Sequence, residues 1–298
     1  MSALALLPLG STLRVLRPHP NVYAFYDGRI DGARAHSAAP NWLDDGAYAL
    51  GVCAYAVVEG TEALVYDTHI SLTHARLMRQ TLEEAGVTSI RVVLSHWHDD
   101  HVAGNGAFAT CEIIALDSTE RALAANRVAL ENGDPPIFPL VMPNRIVTGP
   151  TELKVGRLDV RLEPAEIHSH DGLILLLPEL GLMLAGDTLE EPITYVAEPE
   201  RLGVHVEELK RIRQWGYARI LPNHGAPEMI AAGGYGPELI DATIRYVNKL
   251  LHTRIDMALA DQDLSTFIAG DLGSGTLTYF APYEAVHANN VKKVLALP

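Results

Sequence analysis

In the first part of the chain, strand-like apolar runs alternate with segments in which apolar residues recur at helical spacing. This alternation predicts a mixed α/β structure. Two apolar runs at residues 51–58 and 62–66 are split by a short polar turn, which predicts a β-hairpin. Apolar residues then recur at helical spacing over residues 75–85, and Gly86 is the predicted end of that helix. Residues 91–94 form the next strand-like run.

The same alternation continues beyond this point. A helix is predicted to begin near Asp117, with Glu120 placed for a capping interaction, and to end before a Gly-Asp-Pro-Pro stretch. Strand-like runs follow at residues 158–167, at residues 173–185 as a hairpin, and at residues 218–221. The order of elements is that of an α/β protein.

Residues 226–298 are predicted to be a helical extension. Behind Pro237, apolar residues recur at intervals of three and four: Ile240, Ile244, Val247, Leu251, Ile255 and Ala258. Such a stripe must be buried, and we expect it to pack on the rest of the molecule, with a homodimer interface or a lid as alternatives. A last helix is predicted at residues 283–297. Since no segment has the composition of a linker, residues 1–298 are expected to form one domain with this extension packed on it.

Composition and charge narrow the classes of function. The 298 residues are 48% hydrophobic, which is enough for a large core. The apolar run at residues 3–9 is too short to cross a membrane and lacks a basic flank, so we expect a cytoplasmic protein without a membrane partner. With 23 basic and 37 acidic residues, the net charge of −14 disfavours nucleic acid as a partner. Cys53 and Cys111 give no disulfide framework.

The densest cluster of chemically active side chains directly follows the strand predicted at residues 91–94: His96, Trp97, His98, Asp99, Asp100 and His101. On extended backbone His96 and His98 project to the same side, whereas on a helix they would point to nearly opposite sides. The segment is therefore predicted to be a loop that leaves a strand end. Once the chain turns, Asp100 and His101 can approach from another direction, so H-x-H-x-D-H can supply half of a two-metal site.

Three further residues of the same kind each follow a strand-like run: His168, Asp187 after Gly186, and His224 in a Pro-Asn-His-Gly turn. In this order, they and the H-x-H-x-D-H motif resemble the signature of the metallo-β-lactamase superfamily, and the resemblance covers roughly residues 45–226. It implies an αββα sandwich, in which two mixed β-sheets pack face to face with helices outside. It also implies a metal site along one edge, where both sheets end.

The resemblance further implies how the side chains divide between two ions. By this resemblance, one ion would be held by His96, His98 and His168. The other would be held by Asp100, His101 and His224, and Asp187 would bridge the two ions. Ligation by nitrogen and oxygen fits two Zn²⁺ per chain, with iron, manganese or cobalt as alternatives. A metal-bridging hydroxide would be the nucleophile, because an ion lowers the pKa of bound water from about 15.7 to near 7. Asp100 could relay a proton.

Two details of the motifs leave alternatives. His168 and His170 lie on one face of an extended segment, and the family's spacing favours His168 as the ligand, with His170 supporting it or facing the substrate. Asp67 matches an Asp that the family commonly uses to brace the metal loop. The Gly that usually follows in this motif is replaced by His69, whose side chain could point toward the metals.

We expect the substrate pocket to be lined by side chains from segments that reach the same edge: His69, Trp97, Glu190, Glu191 and Tyr195. Trp97 and Tyr195 would provide an apolar wall with a polar group. The two glutamates would repel anionic substrates unless basic residues offset them. The expected substrates are therefore neutral esters or lactones.

These observations predict a zinc-dependent hydrolase that cleaves a small-molecule ester, lactone or amide. A β-lactamase of the all-His/Asp ligand type is one alternative. A dioxygenase of the persulfide type, which shares this ligand frame but uses a single iron, is the alternative from another class, and a metal-binding module without catalysis is the third. Metal content separates the hydrolase from the dioxygenase, since two zinc ions support the first and one iron supports the second.

Overall fold

Two mixed β-sheets form the centre of the computed structural model, which describes residues 5–298; residues 3 and 4 of the apolar run at 3–9 lie outside the described residues. In chain order the strands are β1 Ala5–Leu6, β2 Arg14–His19, β3 Val22–Asp27, β4 Ala33–Arg34, β5 Val52–Glu59, β6 Glu62–Tyr66, β7 Ser89–Val93, β8 Glu112–Leu116, β9 Arg145–Val147, β10 Thr151–Val155, β11 Leu158–Pro164, β12 Leu173–Leu177, β13 Leu182–Gly186 and β14 Arg219–Pro222. Among these residues, the first sheet has the order β2-β3-β5-β6-β7-β8-β9 and the second β10-β11-β12-β13-β14. Strands β6 to β9 run parallel, as do β13 and β14.

Helices cover the outer faces of both sheets. In chain order they are α1 Leu72–Glu84, α2 Asp99–Val102, α3 Asp117–Glu131, α4 Leu202–Arg213, α5 Pro227–Ala231, α6 Glu238–His252, α7 Met257–Ala260, α8 Leu264–Phe267, α9 Ala269–Gly273 and α10 Tyr283–Leu295. Helices α1 and α3 pack on the first sheet, and α4, α6 and α10 pack on the second. A π-helical turn at Trp42–Tyr48 precedes β5.

Strand β12 illustrates why the sandwich forms. All five of its residues are apolar and buried. Leu173, Leu175 and Leu177 face the layer between the sheets, whereas Ile174 and Leu176 face the outer helices. Because side chains alternate along a strand, an unbroken apolar run needs cover on both faces. The αββα sandwich is therefore confirmed.

Two details of the predicted elements are corrected. The hairpin is confirmed, since β5 and β6 pair antiparallel. Helix α3 begins at Asp117 as predicted, but Leu116 is its N-cap and no side chain caps it, so Glu120 makes no capping interaction. The strand predicted at residues 158–167 ends earlier, at Pro164.

The prediction of one continuous helical stripe behind Pro237 is partly wrong. Helix α6 ends at His252, and the chain turns at Thr253, whose hydroxyl donates to the Leu250 carbonyl. Ile255 therefore lies beyond the helix and is 80% exposed. Ile240 and Val247 of the predicted stripe do lie on the buried face of α6, together with residues outside the stripe: Leu239, Ala242, Thr243, Tyr246 and Leu250. That face packs with α4 and α10 on the second sheet.

Within residues 5–298, the structure contains no helix that is both long and apolar enough to cross a membrane. The cysteines are unpaired, and Cys53 is buried.

Candidate metal centre and pocket

The candidate site lies at the edge where strands of both sheets end. Each functional side chain follows a strand or connects two: Asp67 after β6, His96 and His98 after β7, His168 between β11 and β12, Asp187 after β13, and His224 after β14. Parallel neighbours β6 and β7, and likewise β13 and β14, deliver their following residues to the same side. A backbone bond from the Leu173 amide to the Ser95 carbonyl, 2.8 Å long, joins the two edges.

Gly186 allows the close approach that Asp187 requires. Its φ is +58°, a left-handed conformation that disfavours residues with a Cβ. A Cβ at this position would lie 2.9 Å from the Cβ of Ser95 and 3.0 Å from the Tyr66 hydroxyl. The Gly-Asp pair thus permits β13 to place its carboxylate beside the loop that follows β7.

Three imidazoles converge on one point. The Nε2 atom of His96 lies 2.9 Å from Nδ1 of His98, and that atom lies 3.0 Å from Nε2 of His168. Beside them stands a second group made of Asp100, His101, Asp187 and His224. In this group, Nε2 of His224 is 3.2 Å from a carboxylate oxygen of Asp100.

Asp187 stands between the two groups. Its Oδ2 atom lies 3.8 and 3.6 Å from the Nε2 atoms of His96 and His168 in the first group. The same oxygen lies 3.2 and 3.4 Å from the Nε2 atoms of His101 and His224 in the second. Its other oxygen, Oδ1, is buried without a hydrogen-bond partner among the described residues. An unpaired buried carboxylate oxygen is costly, and a cation beside it would remove that cost.

The ring nitrogens that face away from the cluster leave Nε2 of His168 and His224 as the atoms available to a metal. Nδ1 of His168 lies 3.1 Å from the Tyr195 carbonyl, and Nδ1 of His224 lies 2.6 Å from the Gly51 carbonyl. Because a carbonyl only accepts, each Nδ1 carries the proton, and in a neutral ring Nε2 is then an unprotonated donor for a metal. The donor set and its tautomers therefore fit a site for two divalent ions.

Asp67 fixes the loop that carries the histidines. Its side chain accepts from the Ser95 amide at 2.7 Å and the Ser95 hydroxyl at 2.6 Å, and it also accepts from the Asn223 amide group at 2.6 Å. Its Oδ2 lies 2.9 Å from Nδ1 of His101. The carboxylate thereby orients His101 and ties the loop after β7 to the loop after β14, which is the bracing position expected of it.

Crowding of imidazoles and carboxylates shifts their pKa values in two directions. Burial lowers the pKa of His96, whereas, against the effect of burial, Asp100 and Asp187 raise the pKa values of His101 and His224 well above the usual imidazole range. Burial and the nearby His168 lower the pKa of His98 to about 3, so its ring stays neutral. Although burial acts in the opposite direction, His101 and His224 lower the pKa of Asp100 to about 2. Asp187 is likewise held well below the usual carboxyl pKa by His101 and His224, against burial. The ionised carboxylates and the neutral ring of His98 are already in the forms that bind cations, and a cation at the second group would take the place of the protons on His101 and His224.

Three of the residues expected near the substrate lie elsewhere. His170 is exposed, and its Nδ1 lies 2.6 Å from Glu198, away from the cluster. His69 adopts a φ of +69°, which explains why Gly is usual there, and its buried ring stacks on His74 at 4.5 Å instead of facing the cluster.

Glu191 is the third. It is fully buried and accepts from the Thr278 amide at 2.6 Å and from the Tyr235 hydroxyl at 3.2 Å. A carboxylate with these partners supports the packing of the C-terminal region and does not face a substrate.

The other expected pocket residues do line a cavity. It has a volume of about 540 Å³ and opens over the histidine cluster, with Trp97, Glu190 and Tyr195 in its wall. The Glu190 carboxylate accepts from the Tyr195 amide at 2.8 Å and lies 3.4 Å from Nδ1 of His168. It therefore orients the segment around His168 as well as lining the cavity.

Two parts of the cavity wall are not predicted from the sequence. One is the π-helical turn at Trp42–Tyr48, which contributes Trp42 and Asp45. The other is helix α10, which contributes Val286 and Lys293. No local sequence pattern marks these residues as part of a cavity. A lysine in the last turn of a helix is favoured by the helix dipole, so Lys293 by itself does not indicate a binding site.

Comparison with known proteins finds one matching family model and several similar proteins. The sequence model described as the metallo-beta-lactamase superfamily matches residues 47–224. Among curated relatives, an atrochrysone carboxyl ACP thioesterase of Aspergillus novofumigatus is 28% identical, over 83% of this chain and 70% of that protein. Another of Aspergillus terreus is 28% identical, over 59% of this chain and 50% of that protein. The chain thus spans about half the length of the second relative.

Solved structures with the same fold are more distant in sequence. The metallo-β-lactamase FIM-1 from Pseudomonas aeruginosa, in a mono-zinc form, superposes with a TM-score of 0.59 at 17% identity, covering 82% of this chain and 96% of that one. A metallo-β-lactamase from Pontibacter korlensis gives 0.57 at 14% identity, covering 77% and 99%. At such identities the likeness concerns the fold alone.

Proposed function

The chain belongs to the metallo-β-lactamase superfamily, and from this premise we propose that it is a zinc-dependent hydrolase that cleaves a small ester, thioester, lactone or amide. The observation that carries the proposal is the position of Asp187, whose Oδ2 lies within 3.8 Å of four imidazole nitrogens from two neighbouring groups. A second donor set beside the three histidines supports a site for two ions. Because a single-iron dioxygenase would share this ligand frame, metal content is the measurement that separates the two functions.

The ligands would be divided as the family resemblance implies. His96, His98 and His168 would hold one ion, the Asp100, His101 and His224 side chains would hold the other, and Asp187 would join them. Two such ions would lower the pKa of a shared water toward neutrality and polarise the carbonyl oxygen of the substrate.

The chain's own residues prepare the rest of the reaction. Asp100 lies at the cavity wall, with its two carboxylate oxygens 3.3 Å from Nε2 of His101 and 3.2 Å from Nε2 of His224. With one oxygen on a metal, the other could take a proton from the attacking water and pass it to the leaving group. The indole of Trp97 shields the cavity from water, and the Glu190 carboxylate keeps the His168 segment in place.

The thioester is the first acyl class to test. Both relatives compared above are named thioesterases, and an acyl thioester undergoes the same addition to a carbonyl as an ester or lactone. A carrier protein as the substrate's partner has no support in the charge of this chain, because a net charge of −14 would oppose docking of another acidic protein. Small thioesters are therefore proposed before protein-bound ones.

The proposal is tested by a hydrolysis screen of the zinc-loaded protein. Thioesters, p-nitrophenyl esters, lactones and β-lactams form the panel, and we expect turnover of at least one of the first three. Asp100→Asn should lower that turnover about 100-fold or more, because it removes both a ligand of the second ion and the proton acceptor. Asp117→Asn is the matched control, since Asp117 lies on the surface of α3 and pairs with Arg121. Hydrolysis of none of the four classes would refute the proposal.

A further inference from the structure

The cavity wall contains a lysine that comes from outside the segment matched by the family. Among the described residues that line the cavity, Lys293 of α10 is the sole lysine or arginine. The family match ends at residue 224, so this residue belongs to the helical extension. Its surroundings in the cavity wall are mostly acidic or apolar, which makes a lysine there distinctive.

Lys293 is held in place by the wall itself. Its ammonium donates to the Val196 carbonyl at 2.7 Å and to the Tyr195 hydroxyl at 3.2 Å, and it lies 4.4 Å from the centre of the Tyr195 ring. An ammonium has three donor hydrogens, so one remains for another acceptor. The Tyr195 hydroxyl accepts from Lys293, and its own proton has no acceptor among the described residues. Two donors therefore stand together at the cavity wall.

Among the described residues, no acidic side chain of the cavity wall forms an ion pair with Lys293, although five line the cavity: Asp45, Asp99, Asp100, Asp187 and Glu190. Asp45 is already paired with Arg34, whose Nη2 donates to it at 3.1 Å. Glu190 is engaged by the Tyr195 amide, and Asp100 and Asp187 belong to the proposed metal site. The positive charge of Lys293 is thus available to a bound molecule. The Tyr195 ring, 6.2 Å from the His168 ring, separates it from the cluster.

We propose that Lys293 and Tyr195 form a subsite for an anionic group of the substrate, a carboxylate or a phosphate that lies several bonds from the scissile carbonyl. This inference rests on the proposed hydrolase function and replaces the expected preference for neutral substrates, which depended partly on Glu191. An ammonium and a phenol hydroxyl together suit a compact anion and orient it through charge-assisted hydrogen bonds. The carbonyl end of the same molecule would then reach the histidine cluster.

The test compares substrates that differ only in charge. For the acyl side, the pairs are p-nitrophenyl half-esters of linear dicarboxylic acids and the same esters with a terminal carboxamide. For the leaving-group side, the pair is acetyl pantetheine and acetyl phosphopantetheine. The ratio of kcat/KM for the anionic and the neutral member is measured in the wild type, Lys293→Met, Lys293→Arg and Lys292→Met. Lys292 is the matched control, because it is the adjacent, exposed lysine in the same last turn of α10.

We expect the ratio to fall about tenfold in Lys293→Met, mainly through KM, since the contact is remote from the reacting atoms. Lys293→Arg should retain most of the ratio, and Lys292→Met all of it. If the ratio falls for the half-ester pair, the anionic group belongs to the acyl side of the substrate. If it falls for the pantetheine pair, the anionic group belongs to the leaving group. A loss that is equal for both members of every pair would mean that Lys293 only supports the wall, and it would overturn the inference.

Binding gives an independent readout that does not need turnover. Non-hydrolysable amide analogues of each pair are titrated into the same variants by calorimetry. A preference for the anionic analogue that disappears in Lys293→Met supports the subsite even if the wild type hydrolyses no ester. Equal affinities in wild type for both analogues would refute the subsite while leaving the hydrolase proposal in place.

Discussion

The residue on which the candidate site converges is Asp187. Its carboxylate lies between two groups of imidazoles, and the carboxylate of Asp67 behind it holds one of those rings and two loops. These positions could be predicted from the sequence, because the ligand-type residues lie in the segments that follow strand ends, although Asp100 and His101 lie in the short helix α2 and not in an extended loop. The directions of His69, His170 and Glu191 could not, since they depend on a left-handed φ and on contacts with distant segments.

The assignment of His168 is tested by comparing two alanine variants. His168→Ala should remove at least one ion, because this ring closes the first group at 3.0 Å from His98. His170→Ala should leave the metal content unchanged, because its side chain is exposed and contacts Glu198. Metal is counted by elemental analysis after purification, and the opposite pattern would show that the register is wrong.

Because Asp67 braces the metal loop without being a ligand, its removal should lower the affinity for metal ions while every metal ligand remains. Asp67→Ala should weaken metal binding by about 10- to 100-fold, because His101 loses the acceptor that fixes its ring. Competition with a chromophoric chelator measures the affinity. Binding as tight as in the wild type would mean that Asp67 matters for folding alone.

At the scale of elements, the start of α1 is tied to β3 by a buried hydrogen-bond chain. Ser71 caps the helix and lies 2.7 Å from Nδ1 of His74, whose Nε2 lies 2.8 Å from Asp27. Periodicity predicted the helix and its end at Gly86, but it could not predict this partner from another strand. Helix α6 shows the same limit, since its stripe continued in the sequence past the turn at Thr253 that ends the helix.

The Asp27 chain predicts a pH-dependent contribution to stability. Although burial opposes it, hydrogen bonds from His74 and Thr12 lower the pKa of Asp27 below its unfolded value. A depressed carboxyl pKa stabilises the fold above the unfolded pKa, near pH 4, and this contribution is lost as the pH falls through the folded value. Asp27→Asn should therefore lower the free energy of unfolding by about 2 kcal/mol at pH 7, because it weakens buried hydrogen bonds to a charged acceptor. The loss of stability between pH 7 and pH 3 should be smaller in this variant than in the wild type. Denaturant unfolding at a series of pH values from 7 to 3 measures these free energies. The same fall of stability in acid for the variant and the wild type would contradict the assignment.

At the scale of the whole molecule, the C-terminal helices complete the sandwich and also one wall of the cavity. Glu191 links them to the first sheet region, because it accepts from Thr278 and Tyr235, and its own carbonyl accepts from Arg29 at 2.9 Å. No sequence pattern could foresee that residues 190–196 and the last helix would share a cavity, since that contact depends on how the extension packs. Whether the protein forms a homodimer stays a prediction.

The Glu191 network predicts a variant that changes stability and not specificity. Glu191→Gln should lower the free energy of unfolding by about 2 kcal/mol, because a buried acceptor of two donors is altered. The preference between anionic and neutral substrates should stay as in the wild type. A shift in that preference would place Glu191 at the cavity after all.

The central claim, a two-metal centre bridged by Asp187, is tested most directly by the metal content of the purified protein and its Asp187→Ala variant. Elemental analysis per mole of chain should find two zinc ions in the wild type and at most one in the variant, with the sandwich intact by circular dichroism. One iron per chain in the wild type, or two ions retained in the variant, would contradict the account.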